Sequence, residues 1–193
     1  MLILIIYNAI IKRGDNMCGR YYIDIDEKEF KEIINAAEKN IYKDYKSGEI
    51  FPSNIAPIYI HDEKNMRPIL AKWGFPKWDK KGLIINAKAE TLAEKQMFKK
   101  LILSNRCTIP ASAYYEWKES SQNNKIKDKY IIKKPNSNLY FAGLYNIVPK
   151  QKSEQMSMFE TDENDTDIFY TIITKDANSS VSHIHHRMPL IFD

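Results

Sequence analysis

The chain has little cysteine, with only Cys18 and Cys107 in 193 residues. Two thiols make no disulfide framework, so the fold must rest on a packed core. One reactive and one structural thiol in a reducing cytosol fit this usage best. No apolar run is long enough to cross a bilayer, which excludes a helical membrane span. No internal repeat is visible. Basic residues are absent between positions 153 and 174, where six acids stand (Glu154, Glu160, Asp162, Glu163, Asp165 and Asp167). The rest of the chain carries 29 cations and 19 acids, a net +10, against +4 for the whole. A basic body with one acidic insert suits a polyanion partner. It equally suits an ordinary protein of basic pI, so charge alone does not choose. The length allows one domain with a sizeable core.

A signal peptide is also lacking. Residues 1–11 are mostly apolar, and Lys12-Arg13-Gly14-Asp15-Asn16 follows. A secretory signal places its positive charge before the apolar run and small residues at a cleavage site. Two readings remain, a first β-strand or a translated leader. Lys12 to Met17 can be encoded as AAA AGG GGA GAT AAT ATG, with a purine run like a ribosome-binding site just before the ATG. Residues 1–16 are therefore read as leader or non-native extension, and Met17 as the true start of a domain over 17–193.

Residues 18–25 read as a strand. Asp26 is placed to cap a helix through about residue 40, with Phe30, Ile33, Ile34 and Ala37 at i, i+3, i+4 and i+7 on one apolar face. Residues 57–61 and 67–73 read as strands joined by a turn at 62–65. A second helix is expected over 90–103. Strands are expected over 106–110 with Cys107 in the core, and over 113–118. A hairpin is expected from 129–132 and 138–145, a core strand over 168–174, and a short helix over 176–182. Residues 151–167 read as a long acidic loop. Many short strands and few helices argue for a single α+β domain.

Four stretches carry the chemistry: Met17-Cys18-Gly19-Arg20-Tyr21, Ile85-Asn86-Ala87, Tyr114-Tyr115-Glu116-Trp117 and Ile184-His185-His186-Arg187-Met188-Pro189. A free cysteine is most often a small buried hydrophobe, and each stretch alone is weak. Together, in this order, they resemble the SOS-response-associated peptidase (SRAP) family, over nearly all of the chain from Met17. The resemblance implies mostly antiparallel strands in a curled sheet or barrel-like core with a few flanking helices. It also implies that Met17 is removed, and that Cys18, now first, captures abasic sites in single-stranded DNA. Family members usually continue with another strand and helix past the position of Asp193, so a truncated C-terminus is expected. Where the family often has Asn-Ala-Arg, this chain has Asn86-Ala87-Lys88, which keeps the charge but loses the bidentate fork.

The residues suit that chemistry. A lysine amine titrates near 10.4, so well under 0.1% is neutral at pH 7, whereas an α-amine near 7.7–8.0 is roughly 10–15% neutral. An N-terminal cysteine adds twice to one aldehyde. The amine forms a Schiff base, and the thiolate then closes a five-membered thiazolidine in an intramolecular step. An abasic site is a masked aldehyde whose ring must open. Glu116 and His185 are suitable proton-transfer groups, and the Asn86 amide can hold the Cys18 backbone or a sugar hydroxyl. The resemblance gives the same roles to Cys18, Asn86, Glu116 and His185.

Arg20 and Arg187 are candidates for phosphate contacts or structural ion pairs, and Lys88 for a phosphate contact. Trp73 and Trp78, with Gly and Pro between them, are core residues or a base-stacking platform. Asn54 and Pro57 belong to a proline-bounded loop that the resemblance places near the nucleic-acid groove. The expected partner is single-stranded DNA with abasic sites, including single-strand/double-strand junctions. The protein is expected to be a cytoplasmic, nucleoid-associated monomer with no cofactor and no metal. Two other readings compete. One is a cysteine-dependent peptidase or autopeptidase using Cys18, His185 and a carboxylate, which tolerates a blocked amine. The other is a non-covalent single-stranded DNA binder, which is salt-sensitive but indifferent to Cys18→Ser. A metal site at His183, His185, His186 and the cysteines matches no zinc spacing.

Overall fold

The run Ile168-Phe169-Tyr170-Thr171-Ile172-Ile173-Thr174 is buried throughout, which marks a strand covered on both faces. A computed structural model, describing residues 3–7, 19–24, 26–37, 44–61, 65–79, 81–119, 127–150 and 166–192, places that run at the centre of the molecule. In chain order the strands are β1 (Ile3–Tyr7), β2 (Arg20–Ile23), β3 (Gly48–Ile50), β4 (Ile55–His61), β5 (Met66–Trp73), β6 (Phe75–Pro76) and β7 (Leu83–Ile84). They continue with β8 (Asn86–Lys88), β9 (Arg106–Ala111), β10 (Ala113–Glu119), β11 (Lys127–Lys133), β12 (Leu139–Pro149), β13 (Thr166–Asp176) and β14 (Arg187–Pro189). The helices are α1 (Lys28–Ala36), α2 (Gln96–Lys99) and α3 (Leu101–Ser104).

Five strands close on themselves. β12 pairs with β9, β9 with β4, β4 with β5, β5 with β13, and β13 again with β12. The result is the barrel-like α+β core expected from the sequence. Beyond the closed ring β13 continues, flanked by parallel β8 on one edge and antiparallel β14 on the other. A separate sheet, β1-β11-β10-β2-β3, packs beside the barrel.

Strand alternation divides the core in two. Tyr170 and Ile172 enter a cluster between sheet and barrel with Tyr21, Ile23, Tyr114 and Phe141. Phe169 and Ile173 face a second cluster with Phe75, Leu92, Phe98 and Leu144. Burial of each such large side chain stabilises the fold by about 1.5–3 kcal/mol. At Gly143 of β12, a Cβ would lie 2.3 Å from Ile109 Cδ1 and 2.8 Å from the Thr171 carbonyl oxygen. Only glycine lets β12 approach that closely. No helix among the described residues is long and apolar enough to cross a membrane.

Several expectations hold. Phe30, Ile33, Ile34 and Ala37 are buried on one side of α1, and β4 and β5 pair from Ile55↔Lys72 to His61↔Met66. Cys107 is buried in the core, with its thiol pKa pushed up by desolvation.

Others need correction. Asp26 does not cap α1. The N-cap is Glu27, without a side-chain bond, while Asp24 Oδ1 accepts the Asp26 N–H at 3.1 Å. The second helix is broken into a 3-10 turn at Ala89–Thr91 followed by α2 and α3. Leu92 and Phe98 are both buried, yet six residues apart they would stand about 120° apart on a continuous helix. The break lets both reach the core, and leaves Met97 exposed.

The expected hairpin exists only at its tip, the Lys134↔Ser137 bridge. Beyond it β11 joins the open sheet and β12 the barrel. Ile132 and Leu139 then fill the interface from opposite sides. Residues 176–182 form no α-helix, because Asp176 is still paired with Arg187 and Asn178 begins a series of turns. The acidic stretch 151–165 and the turn at 62–64 lie outside the described residues. Residues 3–7 form a strand, the first of the two readings weighed for the N-terminal segment.

Candidate functional site

Cys18 lies outside the described residues, but the strand it leads into does not. β2 is antiparallel to β10, with Ala113↔Tyr22, Tyr114↔Tyr21 and Tyr115↔Arg20. The paired stretch of β2 starts at Arg20, two residues after Cys18, and its partner Tyr115 directly precedes Glu116. Glu116 is 2% exposed. Tyr114 packs edge-on against Phe141 in the core, so alternation aims Glu116 towards the barrel and Tyr115 and Trp117 away from it.

The outward face of this sheet holds a cluster that the sequence did not reveal. The Arg20 guanidinium lies 4.5 Å from the Phe51 ring centroid and 5.0 Å from that of Trp117. It pairs with Glu49 at 3.5 Å. Lys129 also binds Glu49 and stands 4.0 Å from the Tyr115 ring centroid. The cluster is assembled from β2, β3, β10 and β11, and no local spacing announces it.

Asn86 opens β8, half-buried and paired with Ile172. Its neighbour Ile85 accepts a hydrogen bond from Trp73 Nε1 at 3.0 Å, and Trp73 meets Tyr21 edge-on at 5.3 Å. One chain of contacts thus runs from the strand that follows Cys18 to Asn86.

His185 stands before β14, half-buried. The Arg187 backbone N–H donates to His185 Nδ1 at 3.0 Å. The Arg187 carbonyl is a more distant contact of the same nitrogen, at 3.3 Å. An N–H can only donate, so Nδ1 accepts and the neutral ring carries its proton on Nε2. Burial holds the His185 pKa below its ordinary value, against the raising effect of the Arg187 carbonyl; nearby His186, Lys127 and Arg187 lower it further.

Arg187 takes the ion-pair alternative, which corrects the DNA-contact assignment. Its guanidinium is buried, with Nη1 and Nη2 each 2.9 Å from a carboxylate oxygen of Glu90. Nη1 also reaches Asp176 at 2.6 Å, and Nη2 the Thr174 carbonyl at 2.7 Å. The fork ties β14 to the turn after β8 across the end of β13. The same hydrogen bonds hold the Glu90 carboxyl at about 2, far below its ordinary 4.5. Glu90 is 97 positions from Arg187, and only the fold pairs them.

The other expected DNA-facing residues divide. Trp73 is fully buried, stacked on Tyr170 with ring centroids 6.3 Å apart, and offers no face to a base. Pro57 is buried within β4 opposite Leu70. Both are corrected to core residues, because β4 and β5 are barrel staves covered on each side. Asn54 is half-buried, and its Oδ1 accepts the Phe51 N–H at 3.0 Å, which shapes the 51–54 turn. Trp78 is 94% exposed and Lys88 is exposed. Among the described residues no three His, Cys, Asp or Glu side chains gather as a metal site.

The comparisons agree with this architecture. The sequence model described as SOS response associated peptidase (SRAP) matches residues 17–193, and the chain belongs to that family. It is 39% identical over 187 residues to the abasic site processing protein YoqW of Bacillus subtilis (strain 168), covering 91% of this chain and 75% of that protein. It is 25% identical to the abasic site processing protein YedK of Escherichia coli (strain K12), again covering 91% and 75%. A crystal structure of a protein from Bacteroides thetaiotaomicron superposes with a TM-score of 0.69 at 23% identity, covering 91% of this chain and 77% of that one. That likeness shows the shared fold.

Proposed function

We propose that this protein processes abasic sites in single-stranded DNA by covalent capture on Cys18 as the N-terminal residue. The observation that supports the reading is the β2–β10 register, which pairs Arg20, two residues after Cys18, with Tyr115, the chain neighbour of buried Glu116. Membership of the SRAP family and similarity to the abasic site processing proteins YoqW and YedK support it.

The steps follow from the groups present. Glu116 and His185 move the protons that open the sugar hemiacetal to an aldehyde. The Cys18 amine adds to the aldehyde carbon and water leaves, giving a Schiff base. The Cys18 sulfur then adds to the same carbon and the imine nitrogen takes a proton, closing a thiazolidine. One water is lost overall. His185 Nε2–H is the hydrogen-bond donor that the Arg187 contact leaves available to polarise the sugar ring oxygen, and the ring acts as a proton donor only in its protonated form. Asn86 orients the Cys18 backbone or a sugar hydroxyl. Trp78 and Lys88 contact the strand through stacking and charge. Lyase and autopeptidase activities are proposed as further reactions of the same cysteine. The reaction needs a free amine on Cys18, since an acylated Cys18 cannot form the Schiff base.

Intact-protein mass spectrometry tests this, before and after incubation with single-stranded DNA carrying one abasic site. A chain beginning at Cys18 that forms a heat-stable adduct of protein plus DNA minus water is the expected result. A chain beginning at Cys18 that forms none overturns the proposal. DNA binding that persists unchanged in Cys18→Ser, without an adduct, leaves the non-covalent binder in its place.

A further inference from the structure

The five-stranded sheet ends in β1, which lies along the outer edge of β11. β1 pairs antiparallel with β11 over five consecutive positions, from Ile3↔Lys133 to Tyr7↔Lys129. Among the described residues β1 has no other strand partner. Its sequence, Ile3-Leu4-Ile5-Ile6-Tyr7, is wholly apolar or aromatic, the composition that favours an extended strand. β11 without β1 presents a row of unpaired backbone donors and acceptors, a template for any extended segment.

Natural edges are commonly guarded by lysine, and β11 carries Lys127, Lys129 and Lys133. The Lys129 guard is diverted. Its ammonium lies over Tyr115 of β10 and pairs with Glu49 of β3, so it points back across the sheet instead of shielding the edge. Half-buried Ile131 and Tyr130 complete an edge that is receptive to an apolar strand.

We infer that the outer edge of β11 is a strand-acceptor site for an extended apolar segment, and that residues 3–7 of this chain are its occupant, exchangeable with the same segment supplied as a separate peptide. Main-chain hydrogen bonds supply the binding and the alternating side chains the register. The inference stands apart from the chemistry at Cys18.

The test uses the full chain with Ile5→Pro, which removes one main-chain donor from β1 and disfavours its pairing. Amide hydrogen exchange of residues 127–133 is compared with that of the unsubstituted chain. Protection of the outward-facing β11 amides is expected to fall by about tenfold or more, while the amides of β12 and β13 keep theirs. Adding a peptide of residues 1–13 is expected to restore that protection. Two further peptides carry backbone N-methyl groups, one at positions 3, 5 and 7 and the other at 4 and 6. Only one set can face β11, so one peptide should fail and the other succeed. Unchanged protection in Ile5→Pro overturns the inference. So does equal binding by both methylated peptides, which means plain apolar adhesion. A concentration-dependent dimer that protects β11 and excludes the peptide also overturns it, making a second copy the occupant.

Discussion

The Tyr21 and Tyr170 hydroxyls meet at 2.6 Å, fully buried and 149 positions apart. They join β2, the strand that follows Cys18, to β13, the strand that aligns Asn86. Desolvation raises both tyrosine pKa values.

Tyr170→Phe should leave the Tyr21 hydroxyl buried without its partner and cost about 1–3 kcal/mol in urea unfolding. Tyr21→Phe with Tyr170→Phe should cost less than the sum of the single changes. Because the folded pKa values lie above those of the unfolded chain, this contribution is complete below about pH 10 and declines as pH rises through the folded values. An additive double-mutant cycle counts against the bond.

The Glu90 carboxyl, held at about 2 by Arg187, gives the opposite limb. A depressed carboxyl stabilises the fold above its ordinary 4.5, and that contribution is lost as pH falls from 4.5 through about 2. Wild type should therefore exceed Glu90→Gln in stability at neutral pH, and the gap should close across that window. A gap constant from pH 7 to pH 2 contradicts the pairing.

His185 should titrate below 6.5 by NMR, the direction set mainly by its burial. The unfolded chain takes up its proton first, so the His185 contribution to stability declines as pH falls from 6.5 through the folded value and is level below it. Adduct formation with His185→Gln should lose the inflection that follows the His185 titration and keep the slope set by the Cys18 amine. An imidazole titrating above 6.5 refutes the neutral, Nε2-protonated ring.

The two tryptophans should separate stability from binding. Trp73→Ala empties a fully buried site and should cost about 3–5 kcal/mol. Trp78→Ala removes an exposed ring and should change stability by no more than about 0.5 kcal/mol. Loss of one stacked base should weaken single-stranded DNA binding about 5- to 150-fold. Equal DNA affinity for Trp78→Ala and wild type by fluorescence anisotropy removes Trp78 from the interface.

Much of this protein was legible in the order of its residues. Apolar periodicity marked the buried face of α1 and the run at the centre of β13, because burial on one stripe or on both faces is written in neighbouring positions. The Asn86, Glu116 and His185 stretches were visible as residue types, as was the alternation that parts Glu116 from Tyr115 and Trp117. Tertiary structure decided the surroundings of other positions. Arg187 is a buried ion-pair residue because Glu90, Asp176 and Thr174 converge on it. Trp73 is core while Trp78 is exposed, although both occur in one short aromatic motif. The 129–145 hairpin opens into two sheets, and the 90–103 helix breaks so that Leu92 and Phe98 can both be buried. Local sequence sets which conformations are cheap. Ring closure, ion pairing across 97 positions and the division of strands between sheets depend on contacts that exist only once distant segments have met.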